Sequence, residues 1–389
     1  MNSTFTPKNI LMISHDYLPN IGGVAVYVHE LSKALSQMGH KVTILTQYKT
    51  MSLKIEKSSF NQIRIFRVPI SRFRKINDFQ YVYRMCKLIK KIQDEEKVDI
   101  IHWHTLNKDS RVMQKIGFEG IEVYTNHLSW FRMLYNEGKY NKIYSLIKKN
   151  SHIICPSREI KRMSEELFGV EKTHYLPNGV DANLFLKDKN IRTDLRERYN
   201  IPIGDNVIIS TNRMEPIKGM DFLINSIPNI LKKCPNTTFL ILGDGSQKNK
   251  LLRKVRLQNI DQTKVIFLGG IPNNEIREWM SIADVYVQPS LMEGCSISLI
   301  EAMACAKAIV ATSVGGNVDV IHHQKSGLLI DPESSIQITE AVTDLLNSQK
   351  KRDNFGKKAR EKVENELNWV VIAEKLTKIY DELKTSRLV

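Results

Sequence analysis

Residues 8–47 (KNILMISHDYLPNIGGVAVYVHELSKALSQMGHKVTILTQ) carry the pattern that decides the predicted fold. The segment 8–14 is a short apolar run and predicts a buried strand. After a loop with two glycines, 24–38 has apolar residues at helical spacing, and Gly39 is suited to its C-cap. The segment 41–47 is a second apolar run. A strand, a helix and a strand in this order indicate a parallel sheet covered by helices.

The same alternation continues along the chain. Further strands are predicted at 99–105, 122–127 and 152–157, each ending in polar residues. A second series begins near residue 206 with the strands NVIISTNR, TFLILGDG, VIFLGG, DVYVQPS and AIVATSV. We therefore predict an α/β protein of two doubly wound, Rossmann-like domains. Ligands of such sheets bind beyond the carboxyl ends of the strands, so the cleft between the domains is the expected site.

The connection between the domains is predicted at 184–205, because this segment is polar, charged and interrupted by a proline and a glycine. The predicted N-terminal domain covers 1–185 and the C-terminal domain covers 186–366. The remaining segment, 367–389, contains an amphipathic helix that could pack on either domain.

Composition restricts the class of protein. Of the 389 residues, 42% are hydrophobic and 25% are charged, as in ordinary globular proteins. No apolar run reaches the roughly 18 residues of a membrane span, and the first residues do not resemble a secretory signal. The five cysteines are scattered, which disfavours a disulfide framework or a zinc site. We therefore expect a protein of the reducing cytoplasm.

The net charge of +15 is unusual and is concentrated near the N-terminus. Within 49–91, twelve Lys or Arg residues face only Glu56 and Asp78. Such a surface can attract anionic lipid, phosphorylated substrates or nucleic acid, but no nucleic-acid-binding motif is present and we predict no such partner. The segment 72–91 mixes basic and aromatic residues at helical spacing. It fits either peripheral contact with the inner face of a membrane or an ordinary solvated helix.

The strongest candidate site runs from Glu293 to Glu301. A helix is predicted to begin between the two glutamates, so both carboxylates can face one ligand. The backbone amides of Cys295, Ser296 and Ile297 would be free donors for a diphosphate at the helix N-terminus, and Gly294 belongs to the same donor-binding stretch. Because the carboxylates would repel that anion, we expect them to hold neutral hydroxyls. An acid that only complements the helix dipole is the alternative.

Two further motifs are suited to a diphosphate. Arg213 and Lys218 follow a predicted strand, and two cations there can neutralise the charge that grows on a leaving group. Two solvated cations are the alternative. Gly22 and Gly23 let the backbone approach a phosphate or sugar closely, although a plain turn would also explain them. They do not form the G-x-G-x-x-G motif of nicotinamide enzymes.

Three histidines end predicted strands in the first half of the chain. His102 and His104 lie on the same side of a strand and could be metal ligands, but the spacing offers no third ligand. We therefore predict no metal site. His127 is the better candidate for a ligand contact because its neighbours Asn126 and Ser129 are polar.

These motifs resemble glycosyltransferase family 4, whose members are retaining enzymes of the GT-B fold with two domains facing a central cleft. The resemblance covers nearly the whole chain. It is carried by the glycine loop, DIIHWHT, CPSREI, LPNGVD, NRMEPIKG, LILGDGS and the element that runs from Glu293 into EAMACA. One difference is that Cys295 and Ser296 follow Gly294, where the family usually has an aromatic or glycine-rich step.

The resemblance implies roles for these residues. Glu301 would bind the ribose hydroxyls of the donor, and Glu293 would bind hydroxyls of the transferred sugar. Arg213 and Lys218 would hold the diphosphate. The helix within 367–389 would return to the first domain.

The resemblance also implies contacts elsewhere on the donor. Gly22 and Gly23 would lie against the diphosphate, Gly269 and Gly270 would approach the base, and His127 would lie near the reacting face of the sugar. The catalytic set would be His127, Glu293, Arg213 and Lys218. Family members need neither a metal nor another cofactor, and a front-face substitution is the expected course.

The donor is expected to be a UDP-sugar, with N-acetylglucosamine as the transferred hexose. The acceptor would supply a hydroxyl, and 2-deoxystreptamine of aminoglycoside antibiotic biosynthesis is one candidate. A lipid-linked or cell-envelope polysaccharide acceptor is the alternative. A GT-B sugar-nucleotide epimerase and a non-catalytic sugar-binding protein are two rival classes. The paired glutamates disfavour the first, and the presence of Glu293, Arg213 and Lys218 disfavours the second.

Overall fold

The chain divides into two compact units, Met1–Pro177 with Trp369–Val389, and Asn178–Asn368. The computed structural model describes residues 6–19, 22–50, 52, 54–71, 74–127, 129–185, 189–272 and 275–385. Parts of several predicted segments lie outside these residues: 20–21 of the glycine loop, 72–73 of the basic segment, 186–188 of the predicted connection and 386–389 of the C-terminal segment. Each unit is built on one sheet flanked by helices, as the sequence predicts.

The N-terminal unit has the strand order β3-β4-β2-β1-β5-β6-β7-β8. Its strands are β1 (Asn9–Ile13), β2 (Lys41–Lys49), β3 (Glu56–Phe60), β4 (Ile63–Ile70), β5 (Ile100–Trp103), β6 (Ile121–Thr125), β7 (His152–Cys155) and β8 (Thr173–Tyr175). Neighbouring strands are parallel except β3, which pairs with β4 as an antiparallel hairpin at the edge. The chain reverses its winding between β1 and β5, where doubly wound sheets bind ligands.

The C-terminal unit has the strand order β11-β10-β9-β12-β13-β14, and its paired strands are parallel. Its strands are β9 (Asn206–Thr211), β10 (Thr237–Leu242), β11 (Val265–Gly269), β12 (Val285–Gln288), β13 (Ala308–Thr312) and β14 (Leu328–Ile330). The strands other than the edge strand β11 are almost wholly buried because helices cover both faces. The winding reverses between β9 and β12.

The helices follow in chain order. They are α1 (Gly23–Gln37), α2 (Arg74–Glu95), α3 (Lys108–Met113), α4 (Ser129–Asn136), α5 (Tyr140–Tyr144), α6 (Arg158–Phe168), α7 (Lys189–Arg198), α8 (Met220–Lys233), α9 (Lys248–Leu257), α10 (Ile276–Ile282), α11 (Ile297–Ala304), α12 (Asn317–Val320), α13 (Ser335–Leu346), α14 (Gln349–Lys362) and α15 (Trp369–Thr385). Serine side chains cap the N-termini of α6, α11, α13 and α14, as residue preferences favour. No described helix is both long and apolar enough to cross a membrane.

The boundary between the units differs from the predicted one at 185. Asn178 donates its side-chain amide to the carbonyl of Cys295 at 2.6 Å, and Val180 donates its backbone amide to the carbonyl of Leu367 at 2.9 Å. These bonds tie the segment from Asn178 onward to the C-terminal unit. The polar segment predicted as the connection also belongs to that unit, because Leu195 on α7 is part of its core.

The last helix, α15, is part of the N-terminal unit. Trp369 packs against the ring of Tyr27 on α1, with ring centroids 5.5 Å apart. The hydroxyl of Thr377 lies 3.0 Å from Nε2 of His40, and Asp381 forms an ion pair with Lys8. The amphipathic pattern of this helix is therefore explained by burial of its apolar face against α1.

Candidate functional site

A buried carboxylate lies at the carboxyl ends of the strands in the C-terminal unit. Oε1 of Glu293 accepts hydrogen bonds from Ser290 Oγ at 2.7 Å and Gln288 Nε2 at 2.6 Å. The same oxygen lies 2.7 Å from Nζ of Lys218. Hydrogen bonds to an ionised group are stronger than neutral ones, so the three donors fix this carboxylate in place.

The donors around Glu293 are themselves oriented. Oε1 of Gln288 accepts from the hydroxyl of Tyr286 at 2.6 Å, which turns Nε2 toward Glu293. Burial raises the pKa of Tyr286 above its usual range, and the charges of Glu293 and Glu301 raise it further. Tyr286 therefore stays protonated and donates.

Lys218 is positioned by the glycine that follows it. Gly219 has φ of 61°, a left-handed conformation that favours glycine. A Cβ there would collide with the carbonyl oxygen of Pro289, in the loop after β12. The backbone amide of Leu291 also donates to the carbonyl of Ile217 at 2.8 Å. The loop after β9 is thereby packed against the loop that carries Glu293.

The helix α11 begins between the two glutamates, as predicted. Ser296 is its N-cap and accepts the amide of Leu299 at 3.3 Å. Across the described part of the chain, no acceptor takes the backbone amides of Cys295, Ser296 and Ile297. Amides left open at a helix N-terminus form an anion-binding position. Glu301 is buried on the same helix.

The other predicted donor contacts lie at neighbouring strand ends. Arg213 follows β9 and is exposed, and its guanidinium makes no hydrogen bond to a described residue. Gly269 ends β11 with a φ of 71°, and its carbonyl accepts the amide of Gly243 at 2.7 Å. Gly270 follows and is exposed.

Sequence reasoning missed the side chains that surround Glu293. Tyr286, Gln288 and Ser290 are spaced two residues apart from β12 into the loop after it, and Asn212 accepts from Gln288 Nε2 at 3.2 Å. A period of two places residues of a strand on one face, and the stretch YVQPS carries that signal.

Neither the backbone conformation nor the packing of the described residues requires glycine at positions 22 and 23. Gly22 is the N-cap and has φ of −173°, an extended conformation open to any residue. Among the described residues, a Cβ on Gly23 would meet no atom within 4 Å, and one on Gly22 would meet only Asp16 Oδ2, at 3.5 Å. Open space therefore lies over the N-terminus of α1 in this unit.

The three histidines form one cluster. The rings of His102 and His104 stack with centroids 4.5 Å apart, and Nδ1 of His104 lies 3.3 Å from Nε2 of His127. His102 also bonds the hydroxyls of Tyr380 at 2.7 Å and Thr125 at 2.6 Å. Burial lowers the pKa of both His102 and His127 to about 3, so both rings are neutral near pH 7. Within the described ranges, no group of three or more His, Cys, Asp or Glu residues is arranged to hold a metal ion.

A second buried carboxylate, which sequence reasoning missed, lies at the switch point of the N-terminal sheet. Asp109 accepts from Tyr81 at 2.6 Å, from the hydroxyl of Thr105 at 2.8 Å and from the amide of His15 at 3.1 Å. Burial lowers the pKa of His15, but the hydrogen bond and charge of Asp109 outweigh burial and raise it above its usual value. The polar residues that directly follow β1 and β5 in the sequence could have indicated this site.

Comparisons with known proteins agree with this architecture. Residues 21–184 match the family model described as Glycosyltransferase Family 4, and residues 191–362 match Glycosyl transferases group 1. The chain is 25% identical over 382 residues to the phosphatidylinositol N-acetylglucosaminyltransferase gpi3 subunit of Schizosaccharomyces pombe, covering 96% of this chain and 80% of that protein.

Solved structures share the fold across nearly the whole chain. Sucrose-phosphate synthase from Thermosynechococcus elongatus has a TM-score of 0.82 at 21% identity, with 97% of this chain and 100% of that one covered. Anabaena HepE in complex with UDP and glucose has a TM-score of 0.79 at 17% identity, with 96% and 100% covered. The predicted GT-B fold of two Rossmann-like domains is confirmed.

Proposed function

We propose that this chain transfers N-acetylglucosamine from a UDP-sugar to an acceptor hydroxyl with retention of configuration. Residues 21–184 and 191–362 match two glycosyltransferase family models, so the chain is a group 1 glycosyltransferase of the GT-B fold. The cluster around Glu293 and Lys218 is the observation that carries this proposal. It combines a buried carboxylate, a cation and open helix amides at the carboxyl edge of one sheet.

Each part of the cluster suits one part of the donor. The open amides before α11, with Arg213 and Lys218, suit the diphosphate. A lysine ammonium has three N–H donors, and Glu293 engages one of them, so Lys218 can bind a phosphate oxygen without leaving Glu293. Glu293 would then orient sugar hydroxyls and Glu301 the ribose hydroxyls, because an ionised carboxylate accepts from neutral hydroxyls.

The proposed chemistry follows from the charges. The bond between C1 of the sugar and the phosphate oxygen breaks as the acceptor oxygen bonds to the same face of C1. The departing phosphate oxygen takes the proton of the acceptor hydroxyl. Arg213, Lys218 and the N-terminus of α11 would stabilise the negative charge on the diphosphate, which is the task that a metal ion performs in other transferases.

The role of His127 is limited by its charge. Burial lowers its pKa to about 3, so the ring is neutral near pH 7. A neutral ring cannot supply a proton as an imidazolium does, but it can donate or accept one hydrogen bond. We infer that His127 would orient a hydroxyl near the reacting carbon rather than act as a general acid.

We propose a membrane lipid, with an inositol phospholipid first, as the acceptor. The support is the similarity to the S. pombe subunit, whose name states transfer of N-acetylglucosamine to phosphatidylinositol and which aligns with nearly the whole chain. That relative acts on a lipid rather than on 2-deoxystreptamine, so we place 2-deoxystreptamine second among the acceptors to be tested.

The experiment that tests this function measures UDP release. The pure protein is incubated with UDP-N-acetylglucosamine, UDP-glucose or UDP-galactose, each with phosphatidylinositol vesicles, with 2-deoxystreptamine or without acceptor. We expect release with UDP-N-acetylglucosamine plus vesicles, an α-linked product by NMR and no loss of rate in EDTA. No release from any combination would refute the transferase proposal, and a β-linked product would refute retention. Epimerised UDP-sugar without acceptor would favour the epimerase instead.

A further inference from the structure

The helix α2 has an apolar stripe on its outer side. Ile76, Phe79 and Tyr83 are 47%, 70% and 60% exposed. Their spacing of three and four residues places them on one face of the helix. The rings of Phe79 and Tyr83 stack in solvent, with centroids 6.3 Å apart and planes at 8°. A contiguous apolar patch of this kind marks an interaction site.

The same stripe continues into lysines. Lys87 and Lys90 are exposed and follow Tyr83 by four and seven residues, so they lie on the same face of α2. We call Ile76, Phe79, Tyr83, Lys87 and Lys90 together the α2 face. Its length from Ile76 to Lys90 is about 21 Å, at 1.5 Å per residue.

The lysine end of the α2 face opens into a cavity of about 1180 Å³. Lys97, Lys115 and Lys384 also line this cavity. Throughout the described segments, none of these three lysines, nor Lys87 or Lys90, forms an ion pair. An ammonium group held beside others without a carboxylate favours an anionic ligand.

The carboxylates of the cavity do not cancel this charge. Glu96 is engaged by Lys41 and Arg64. Asp99 accepts the backbone amide of Asn9 at 2.8 Å. Asp94 and Glu119 are the other acidic residues of the lining. The five lysines without an ion pair to a described residue therefore outnumber the three carboxylates, Asp94, Asp99 and Glu119, that do not pair with Lys41 or Arg64. The cavity is therefore net positive beside an exposed aromatic pair.

We propose that the α2 face docks on an anionic phospholipid membrane. Phe79 and Tyr83 enter the boundary between headgroups and acyl chains, where amphipathic aromatic side chains are favoured. The lysines of the cavity bind headgroup phosphates. A basic helix with an aromatic stripe is the arrangement that binds in the plane of an anionic membrane surface.

The topology sets the direction of the α2 face along the membrane. The helix α2 starts after β4, at the carboxyl edge of the sheet, and ends before β5, at the amino edge. Its apolar end is therefore nearer to the carboxyl edge, where Asp109 lies. The lysine cavity lies at the amino edge, beside the starts of β5 and β6, so docking through the α2 face lays the helix along the lipid surface. Membrane binding does not require catalysis, so it can be tested separately from the proposed reaction.

Vesicle flotation tests the proposal. Binding is compared on phosphatidylcholine vesicles with and without phosphatidylglycerol, for the wild type, Phe79→Ser/Tyr83→Ser and Lys87→Ala/Lys90→Ala. We expect selective binding of the wild type to the anionic vesicles. The lysine pair should weaken it about thirtyfold, and the aromatic pair roughly tenfold or more.

The matched control is Lys350→Ala/Lys357→Ala, which removes two exposed lysines from α14 and should bind vesicles like the wild type. Circular dichroism melts, recorded for every variant, report whether the N-terminal unit that contains α2 is folded. Equal binding by wild type and both α2 variants would overturn the proposal. So would wild-type binding that ignores lipid charge, or a preference for a labelled oligonucleotide over vesicles.

Discussion

At the residue scale, Lys218 and Glu293 form an ion pair, so neither side chain can be replaced without affecting the other. The ammonium and the carboxylate are 2.7 Å apart, and the carboxylate is buried. Removing one member of such a pair leaves the other charge uncompensated, which costs more than the pair contributes. The two residues therefore act as one preformed unit of cation and acceptor.

Lys218→Met should lower kcat for UDP release about 100-fold or more, because the leaving diphosphate loses a positive group. Steady-state kinetics with UDP-N-acetylglucosamine measure this. Lys254→Met is the matched control, since it removes a lysine from an ion pair with Asp221 of similar length, 2.9 Å, elsewhere in the same unit. Equal kcat in both variants would show that Lys218 has no part in the reaction.

Glu301→Ala should weaken UDP binding roughly tenfold to 100-fold, since hydrogen bonds from ribose hydroxyls to a charged group contribute about 1.5–3 kcal/mol. Isothermal titration with UDP measures the Kd. Glu340→Ala on α13 is the control, because that glutamate is exposed. If both variants bind UDP like the wild type, the ribose does not contact Glu301.

Gly23→Ala should leave the unfolding free energy unchanged or slightly higher, because the added Cβ meets no atom of the described residues within 4 Å. It should nevertheless lower kcat/KM if a ligand lies against this backbone. Gly204→Ala is matched, since its Cβ also meets nothing within 4 Å. Wild-type kcat/KM in Gly23→Ala would support the plain turn.

At the scale of elements, the histidine cluster joins β5, the end of β6 and α15. Each of these histidines is neutral in the folded protein, because burial lowers the pKa of His102 and His127 to about 3 and that of His104 well below its usual value. The strand ends are thus held together by uncharged rings. Protonation would place positive charges within stacking distance of one another.

The N-terminal unit should therefore lose stability in acid. Unfolded histidine titrates near pH 6.5, so the unfolded chain binds more protons than the folded one between about pH 6.5 and pH 3. The contribution of the neutral histidines to the free energy of unfolding is complete above pH 6.5. Below pH 6.5 it falls by about 1.4 kcal/mol per pH unit for each histidine. Denaturant unfolding at several pH values should show a smaller loss for His102→Gln than for the wild type. Equal slopes would mean that His102 is not neutral when folded.

At the scale of the whole molecule, each unit has its own core and sheet. Both apolar clusters of the C-terminal unit draw only on residues between Val180 and Leu367. The N-terminal unit instead needs both ends of the chain, because α15 buries Trp369, Leu376 and Tyr380 in it.

A fragment of residues 178–368 should therefore unfold cooperatively and bind UDP, because it holds its own cores together with Lys218, Glu293 and Glu301. A fragment of residues 1–177 should aggregate, since α15 is missing. Circular dichroism melts and UDP titration measure both outcomes. A monomeric, cooperatively folded 1–177 fragment would show that α15 is dispensable.

Most regular elements were predictable from local pattern. The helix predicted at 24–38 runs from Gly23 to Gln37, and the strand predicted at 41–47 runs from Lys41 to Lys49. The hairpin of β3 and β4 was missed because β3 (EKSSF) is exposed at every position. An edge strand with no buried face has no apolar alternation to detect.

By itself, the sequence determined the alternation of strands and helices and the two glutamates around the start of α11. These features depend on neighbours within one or two turns of the chain. Only the tertiary structure decided that Lys218 pairs with Glu293, 75 residues away, and that Gln288 and Ser290 hold the same oxygen. It also decided that the C-terminal unit begins at Asn178. The physical reason is that such contacts follow from strand order and loop packing, which bring together residues that no local pattern links.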